Sequence, residues 1–234
     1  MACMQDYWEF ADDFLGVGTF SATATTDNWK ITDTSSAGTP TYTRLDHGET
    51  SGDFAPGVAQ LLFDNTSEVQ NVCLSFGDKL CFDVNKLRAF ETRVRYVAGS
   101  GGAIDSATSI AFGLTGDRND AIDSIAIAAI FRLIGNTTLL VESDDAVNNN
   151  DDVATGITVP DSTWRRFKID FSKLSDVKFF AESAAGTLER VAATTTFDMS
   201  NYAAALQVFF QIQKTADTNT DALEIDYVKV WGVR

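Results

Sequence analysis

Residues 89–96 decide the fold class, because they read Ala-Phe-Glu-Thr-Arg-Val-Arg-Tyr. Phe, Thr, Val and Tyr take every second position, and mostly charged residues take the positions between them. Successive side chains of a β-strand point to opposite faces, so the pattern predicts a strand with one buried and one solvated face. The same alternation recurs at 166–171 and 206–213. One buried face per strand is typical of antiparallel sheets rather than of a parallel α/β core.

Strand-like segments separated by short turns continue along the whole chain. No linker or internal repeat divides the sequence, so we predict one all-β domain over residues 1–234, built as two packed antiparallel sheets. We expect a bulge near Asp226-Tyr227, where the apolar alternation of the last strand changes phase. The other predicted strands cover 58–63, 71–76, 79–83, 107–114, 125–133, 137–142, 176–181, 187–192 and 222–231.

The composition favours a folded protein with an acidic surface. Of the 234 residues, 44% are hydrophobic, and the formal net charge is −15. Such a surface repels phosphate backbones and anionic lipid, so we expect neither nucleic acid nor a membrane as a partner. Neutral glycans, cations and protein surfaces remain as partners, although solubility alone also accounts for the charge.

The N-terminus and the cysteines bear on where the protein is made. The first residues, Met-Ala-Cys-Met-Gln-Asp, lack the basic and apolar regions of a signal peptide. Cys3, Cys73 and Cys81 do not have metal-ligand spacing. A pairing of Cys73 with Cys81 across a hairpin is one alternative, and small buried thiols in a reducing compartment are the one we favour. We therefore expect synthesis in a cytoplasm.

The C-terminal half carries an ordered set of strand motifs. They lie at 164–170, 175–180, a hairpin at Gly186, 206–214 and a closing strand at 225–231. This order resembles the concanavalin A-like superfamily, in which laminin-G-like modules, legume-type lectins and laminarinase-type glycosidases share one fold. The resemblance implies a single antiparallel jelly-roll β-sandwich.

Further motifs extend the resemblance over nearly the whole chain. They are Asp-Asp-Phe-Leu-Gly at 12–16, an early Trp29, Ala-Phe-Gly-Leu at 111–114 and Glu-Ser-Asp-Asp at 142–145. The combined pattern is similar to that of uncharacterised structural proteins of tailed bacteriophages. The resemblance implies a virion protein.

The spacing of carboxylates decides whether the glycosidases of this superfamily are a guide to activity. The resemblance implies a Glu, an Asp and a second Glu at alternate positions of a middle strand. The nearest case is Glu224 and Asp226, but Val228 takes the third position, and the segment is the closing strand. The histidine His47 lies in a polar loop, and no nucleophile motif accompanies it. We therefore expect the protein not to be an enzyme.

A run rich in Asp and Asn is the main candidate for cation binding. Calcium takes about six to eight oxygen ligands, which Asp, Asn and backbone carbonyls supply. The resemblance to lectins implies calcium on loops at one end of the sandwich. An ordinary solvated turn has the same composition, so the alternative is no cofactor. The candidate ligands are Asp144, Asp145, Asn148, Asn150, Asp151 and Asp152.

Apolar residues at two places are candidates for contact with a partner. Residues 1–16 are either an N-terminal arm that docks on a neighbouring subunit or a first strand of the chain's own sandwich. Phe209 interrupts a row of glutamines, so we expect it to face outward or to line a cleft. We expect Trp29, Trp164 and Trp231 in the core. The candidate interface residues are Tyr7, Trp8, Phe10, Phe14 and Phe209.

Two functions follow from these observations. The first is a phage virion protein that decorates or cements the capsid as a homo-oligomer, with the major capsid protein or other virion proteins as partners. It fits cytoplasmic synthesis, the virion resemblance and the acidic surface. The alternative is a carbohydrate-binding adhesion module on the virion, tail or fibre, which requires exposed aromatic side chains beside polar groups.

Overall fold

A computed structural model describes residues 6–16, 18–23, 28–45 and 57–234 of the chain. His47 and Cys3 lie outside the described residues. Two antiparallel sheets pack face to face as a sandwich, as the alternating pattern predicts. The predicted all-β antiparallel sandwich is therefore confirmed, while the assignment of residues 1–234 to one domain stays a prediction. Among the described residues, no helix has the length and apolar composition needed to cross a membrane.

The strands range from two to 13 residues in length. In chain order they are β1 Tyr7–Asp12, β2 Gly18–Thr19, β3 Lys30–Asp33, β4 Thr41–Leu45, β5 Val58–Leu62, β6 Glu68–Ser75, β7 Phe82–Asp83, β8 Leu87–Val97, β9 Thr108–Thr115, β10 Ile127–Ile134, β11 Thr138–Asp145, β12 Asn149–Thr158, β13 Arg165–Asp170, β14 Lys178–Glu182, β15 Leu188–Val191, β16 Ala205–Asp217 and β17 Ala222–Val233. The described residues also include two 3₁₀ turns, at Ile122–Ser124 and at Leu174–Asp176.

The strands divide between a larger and a smaller sheet. The larger sheet has the order β15-β14-β13-β8-β17-β5-β4-β2, and β1 pairs with the second half of β17. The smaller sheet has the order β12-β11-β10-β9-β16-β6-β3, with β7 paired to one end of β16. Each sheet therefore has an inner face toward the other sheet and an outer face away from it.

Aromatic side chains join the two inner faces. The Phe167 ring of the larger sheet lies 4.9 Å from that of Phe112 and 5.1 Å from that of Phe131 in the smaller sheet. Phe131 also contacts Phe179 edge to face, at 5.4 Å. All four rings are buried. Large rings at alternate strand positions thus supply much of the apolar burial that holds the sheets together.

One lysine is buried at an end of this core. Lys214 of β16 is fully buried, and its Nζ donates to the backbone carbonyls of Asp64, Thr66 and Asn219 at 2.7, 3.1 and 3.0 Å. The ammonium also lies over the Phe63 ring. Burial lowers the pKa of Lys214. Three carbonyl acceptors satisfy the three donors of the ammonium, which is the condition for burying such a group.

Sequence and structure differ most in the Asp- and Asn-rich run. The run was expected to be a loop, but it contains the end of β11, a tight turn at 146–148 and the start of the edge strand β12. The predicted strand at 79–83 is reduced to Phe82–Asp83. The predicted bulge in the last strand is confirmed by a register shift between Ile225 and Tyr227.

Candidate functional site

The predicted cation-binding residues are used for hydrogen bonds within the β11–β12 hairpin. Asp145 is buried, and its carboxylate accepts the backbone amides of Val147 and Asn148 in the turn and of Asn201 in a neighbouring loop. Burial opposes ionisation of Asp145, but these hydrogen bonds outweigh it and hold its pKa below the usual value. Asp144 accepts the Ala146 amide at 2.6 Å. These contacts indicate that Asp144 and Asp145 stabilise the turn.

An ion-pair network lies beside this hairpin. Arg132 of β10 is buried and pairs with Glu142 at 2.7 Å, with Asp152 at 2.9 Å and with Asp123. Burial raises the pKa of Glu142 to about 7, although the Arg132 guanidinium acts in the opposite direction. Burial also raises the pKa of Asp144 and of Asp152.

The six predicted ligands do not form one cation site. Asp152 faces Arg132, and Asn149 pairs with Asp151 at 3.1 Å through its side-chain amide. Within the described ranges, no group of three or more His, Cys, Asp or Glu side chains is placed to hold a metal ion. Calcium binding therefore stays a prediction without a site in this structure.

A loop covers the middle of the smaller sheet's outer face. The β9–β10 loop, residues 116–126, places Ile122 and Ile125 in a second apolar cluster that also contains Phe209 of β16. Phe209 does face away from the main core, as its position among glutamines indicates. It is nevertheless fully buried under this loop, which corrects the prediction that it is available to a partner. The distant loop that covers it leaves no signal near Phe209 in the sequence.

The N-terminal candidates are divided between the core and the surface. Residues 7–12 form the strand β1, which supports the first-strand alternative over the docking arm. Phe14 is fully buried, so its prediction as an interface residue is wrong. Phe10 is half-buried and packs on Phe76 at 5.3 Å. Tyr7 is 63% exposed.

The larger sheet's outer face is open and carries two tryptophans that we expected in the core. Trp29 is buried as predicted, but Trp164 and Trp231 are only half-buried. The guanidinium of Arg95 lies 4.7 Å from the Trp164 ring centre. Lys168 lies 5.5 Å from the Trp231 ring centre. Neighbouring cations cover these rings in place of a second sheet.

Trp231 lines a groove between β1 and β17 with a volume of about 440 Å³. Glu9 pairs with Trp231 across the two strands, and Lys229 pairs with Glu91 of β8, so these four side chains share the outer face. We call this site the aromatic groove, and its lining residues are Tyr7, Trp8, Glu9, Glu91, Lys229 and Trp231.

Local contacts fix the walls of the aromatic groove. The indole nitrogen of Trp8 donates to the Val233 carbonyl at 3.1 Å. Gly232 faces Trp8 across the strand pair, and a Cβ there would come within 2.7 Å of the indole, so only glycine leaves room for the ring. Glu91 accepts the Tyr227 hydroxyl at 2.7 Å. The groove thus offers ordered rings together with carboxylates and an amine, which suits a ligand with apolar and polar faces.

No protein-family model and no curated protein matches the sequence. Solved structures do match. A protein of unknown function from Shewanella oneidensis MR-1 has a TM-score of 0.57 and 13% identity, covering 96% of this chain and 87% of its own. A non-specific endo-β-1,3(4)-glucanase of family GH16 has a TM-score of 0.57 and 12% identity, covering 100% and 94%. The Ca²⁺-bound exoplasmic/lumenal domain of VIP36 has a TM-score of 0.56 and 11% identity, covering 97% and 90%.

These similarities establish the fold of the chain and correct one prediction. The chain has the concanavalin A-like jelly-roll fold of lectin and glucanase structures. The prediction that the protein is not an enzyme is wrong, because it excluded a class of protein that the fold includes. A glucanase shares the fold over the whole chain at 12% identity. Absence of one carboxylate motif therefore excludes only that motif, and the fold accommodates a glycoside hydrolase.

Proposed function

We propose that the protein is a carbohydrate-binding domain that holds a saccharide in the aromatic groove. One observation carries the proposal: Trp231 and Tyr7 line an open groove whose other walls hold Glu9, Glu91 and Lys229. Sugars present apolar C–H faces and polar hydroxyl edges, so a ring with charged hydrogen-bonding groups around it matches both. The volume of about 440 Å³ suits a ligand of one or two sugar units.

Similar structures support the proposal at the level of ligand class. The exoplasmic/lumenal domain of VIP36 is known with Ca²⁺ and Man3GlcNAc bound, and that structure has a TM-score of 0.52 and 9% identity to this chain. Fold similarity does not carry over a ligand by itself. It agrees, however, with the ligand class that the chemistry of the groove favours.

A glycan array followed by calorimetric titration tests the proposal. We expect the protein to bind oligosaccharides, and Trp231→Ala to weaken binding by at least about ten-fold, because a central aromatic residue usually dominates such a contact. Trp164→Ala is the matched control, since Trp164 is half-buried on the same face and does not line the groove. Unchanged affinity of Trp231→Ala, or equal losses in both variants, would argue against this site.

The proposal extends to a location on a phage particle. The motif resemblance supports a virion protein, either an adhesion module of the tail or fibre or a capsid decoration. Quantitative mass spectrometry of purified particles distinguishes the two: a handful of copies favours adhesion, and a simple fraction of the shell protein favours decoration. Absence from the particle would contradict the virion location and leave glycan binding as a separate question.

Glycoside hydrolysis is a second candidate, which one observation favours. Glu142 and Asp144 take alternate positions of β11, so both side chains face the outer side of the smaller sheet. Burial raises the pKa of Glu142 to about 7, which suits a general acid near neutral pH. Sequence reasoning passed over this pair because it compared only the middle and closing strands.

Release of reducing sugar from β-1,3- and β-1,4-linked glucans tests the second candidate. Hydrolysis at this pair would be lost in both Glu142→Gln and Asp144→Asn, since acid and nucleophile or base are both required. Glu182→Gln serves as the control, because Glu182 belongs to the opposite sheet. Activity that survives both substitutions would place the reaction elsewhere, and no release by the wild type would remove this candidate.

A further inference from the structure

The β9–β10 loop closes on itself at its base. The Gly116 amide donates to the Ile127 carbonyl at 2.9 Å, so residues 117–126 leave the sheet and return to it at one point. Within the loop, the 3₁₀ turn at Ile122–Ser124 keeps the chain compact. A compact loop whose ends meet forms a unit that can move as one body about its base.

Two buried isoleucines and a set of polar contacts hold this loop on the sheet. Ile122 and Ile125 are its buried apolar residues, and they contact the cluster around Phe209. Asp123 pairs with Arg132 of the sheet, although the Asp123 side chain is 77% exposed. An ion pair with one exposed partner contributes little to stability. The two isoleucines supply the apolar part of the attachment. Hydrogen bonds supply the polar part, because Asn71 and Gln211 donate to the Asp120 carbonyl and the Arg118 amide donates to Asp78.

Polar atoms at the junction of loop and sheet are not all paired. Among the residues that the structure describes, six buried side-chain atoms have no hydrogen-bond partner, and four of them are in or under this loop. They are Asn71 Oδ1, Gln211 Oε1, Arg118 Nε and Arg132 Nε. The amides of Asn71 and Gln211 donate to the Asp120 carbonyl, but their oxygens accept nothing. Buried groups without partners disfavour the closed arrangement.

We infer that the β9–β10 loop is a cover that opens as a unit and uncovers a cleft on the outer face of the smaller sheet. Once uncovered, the cleft presents the Phe209 ring between the amides of Gln207 and Gln211, and Arg132 of β10 lies in register with Gln211 across Ala111 of β9. This inference goes beyond the aromatic groove, which lies on the opposite sheet.

Cys73 provides a reporter for the opening. Its thiol belongs to the same buried cluster as Ile122 and Phe209, and burial raises its pKa to about 12. A thiol in this state does not react with alkylating reagents, because the thiolate is the nucleophile. Cys81 is exposed and must be removed from the measurement, as must Cys3. Reaction at Cys73 therefore requires either opening of the loop or unfolding of the protein.

Thiol labelling of the full-length Cys3→Ser, Cys81→Ser protein across urea concentrations tests the inference. At low urea, we expect Cys73 to react faster than global unfolding allows and with little dependence on urea, as in a local opening. Adding Ile122→Ala should raise this rate by at least about thirty-fold, because truncating a buried isoleucine removes a main attachment of the cover. Asp123→Asn should raise it by about two- to five-fold.

Matched variants separate local opening from general destabilisation. Leu139→Ala truncates the main core outside the loop, so it should lower global stability and leave the low-urea labelling rate unchanged. Asp117→Asn is the control for Asp123→Asn: it removes a loop charge without touching the Arg132 ion pair, so the labelling rate should not change. If labelling of Cys73 follows the urea dependence of global unfolding throughout, the loop is a fixed part of the fold and the inference fails. The Cys3→Ser, Cys81→Ser protein alone is enough to obtain this contradicting result.

Discussion

The outer faces of the two sheets begin from the same sequence pattern and differ in the folded protein. On the larger sheet, outward residues such as Glu91, Arg93 and Lys168 alternate with core residues and are half-buried. On the smaller sheet, Gln207 and Gln211 occupy the equivalent outward positions and are fully buried under the β9–β10 loop. Alternation therefore identifies the face that points away from the core, but it does not determine whether water reaches that face.

This difference in burial changes how much the same kind of side chain contributes to the free energy of unfolding. The Arg166–Glu182 pair at the open face is partly exposed, whereas the Arg132–Glu142 pair on the smaller sheet is buried and depends on its partner. The same holds for aromatic rings, which lose little on truncation at the surface and leave a cavity when buried. Substitutions of one residue type on both faces therefore measure the effect of the cover.

The largest expected contrast is between two arginines. Arg132→Met leaves the buried Glu142 carboxylate without its partner and should lower the free energy of unfolding by about 3–5 kcal/mol. Arg166→Met removes a pair with Glu182 at 3.1 Å that is partly exposed, and should cost less than about 1 kcal/mol. Urea unfolding measures both. Equal losses would show that the loop does not exclude water from the Arg132 network.

A pair of phenylalanines gives the next contrast. Phe209→Ala should cost about 3–4 kcal/mol, since the ring is fully buried in the second apolar cluster. Phe180→Ala, at a half-buried position on the open face, should cost about 1 kcal/mol. Thermal and urea unfolding provide the values. A loss below about 1.5 kcal/mol for Phe209→Ala would mean that the loop packs loosely on the sheet.

Two glutamates should give opposite dependences of stability on pH. Burial raises the folded-state pKa of Glu142 to about 7 from its usual 4.5, so the stability that its proton contributes is present below 4.5 and is lost as pH rises through 7. The loss should be about 3 kcal/mol. Burial acts in the same direction on Glu182, but hydrogen bonds from Arg166 outweigh it and lower its pKa, so its contribution is lost as pH falls.

Unfolding curves measured from pH 4 to 8 on Glu142→Gln and Glu182→Gln test the two signs. Glu142→Gln should remove the decline in stability toward pH 8, and Glu182→Gln should remove part of the decline toward acid. A Glu142→Gln protein that keeps the full alkaline decline would show that Glu142 is ionised at all these pH values.

The smallest expected effect belongs to Lys168 on the open face. Its ammonium lies 5.9 Å from the Phe180 ring centre and 5.5 Å from that of Trp231, and no cover shields it. Lys168→Met should lower the free energy of unfolding by about 0.5–1 kcal/mol, as for exposed cation–π contacts. Urea unfolding at low and high salt checks it, and a larger loss would indicate that these contacts are desolvated.

Local rules predicted the fold well from the sequence. The alternation in 89–96, 166–171 and 206–213 identified β8, β13 and β16, and the phase change after Ile225 located the bulge in β17. The polar composition of 149–158 concealed β12, because an edge strand with both faces near solvent needs no apolar alternation. Strand identity was thus predictable wherever one face is buried.

The candidate sites were less predictable, because they depend on contacts between residues distant in sequence. Asp145 was proposed as a cation ligand, but its oxygens are occupied by amides from its own turn and from Asn201. Trp231 was placed in the core because sandwich cores usually contain tryptophan, although the predicted phase change after Ile225 turns Val228 and Val230 inward and Trp231 outward. The aromatic groove forms only when β1 and β17, at opposite ends of the chain, pair with each other.

Lys214 also makes the protein useful as its own kinetic probe. Acylating reagents modify exposed primary amines readily, but the Lys214 amine is enclosed and held by three carbonyls. Its modification requires the strands around it to separate, whereas Lys229 at the surface reacts without any such event. The ratio of the two acylated peptides over time would therefore report how often the native protein unfolds around Lys214, without an introduced probe.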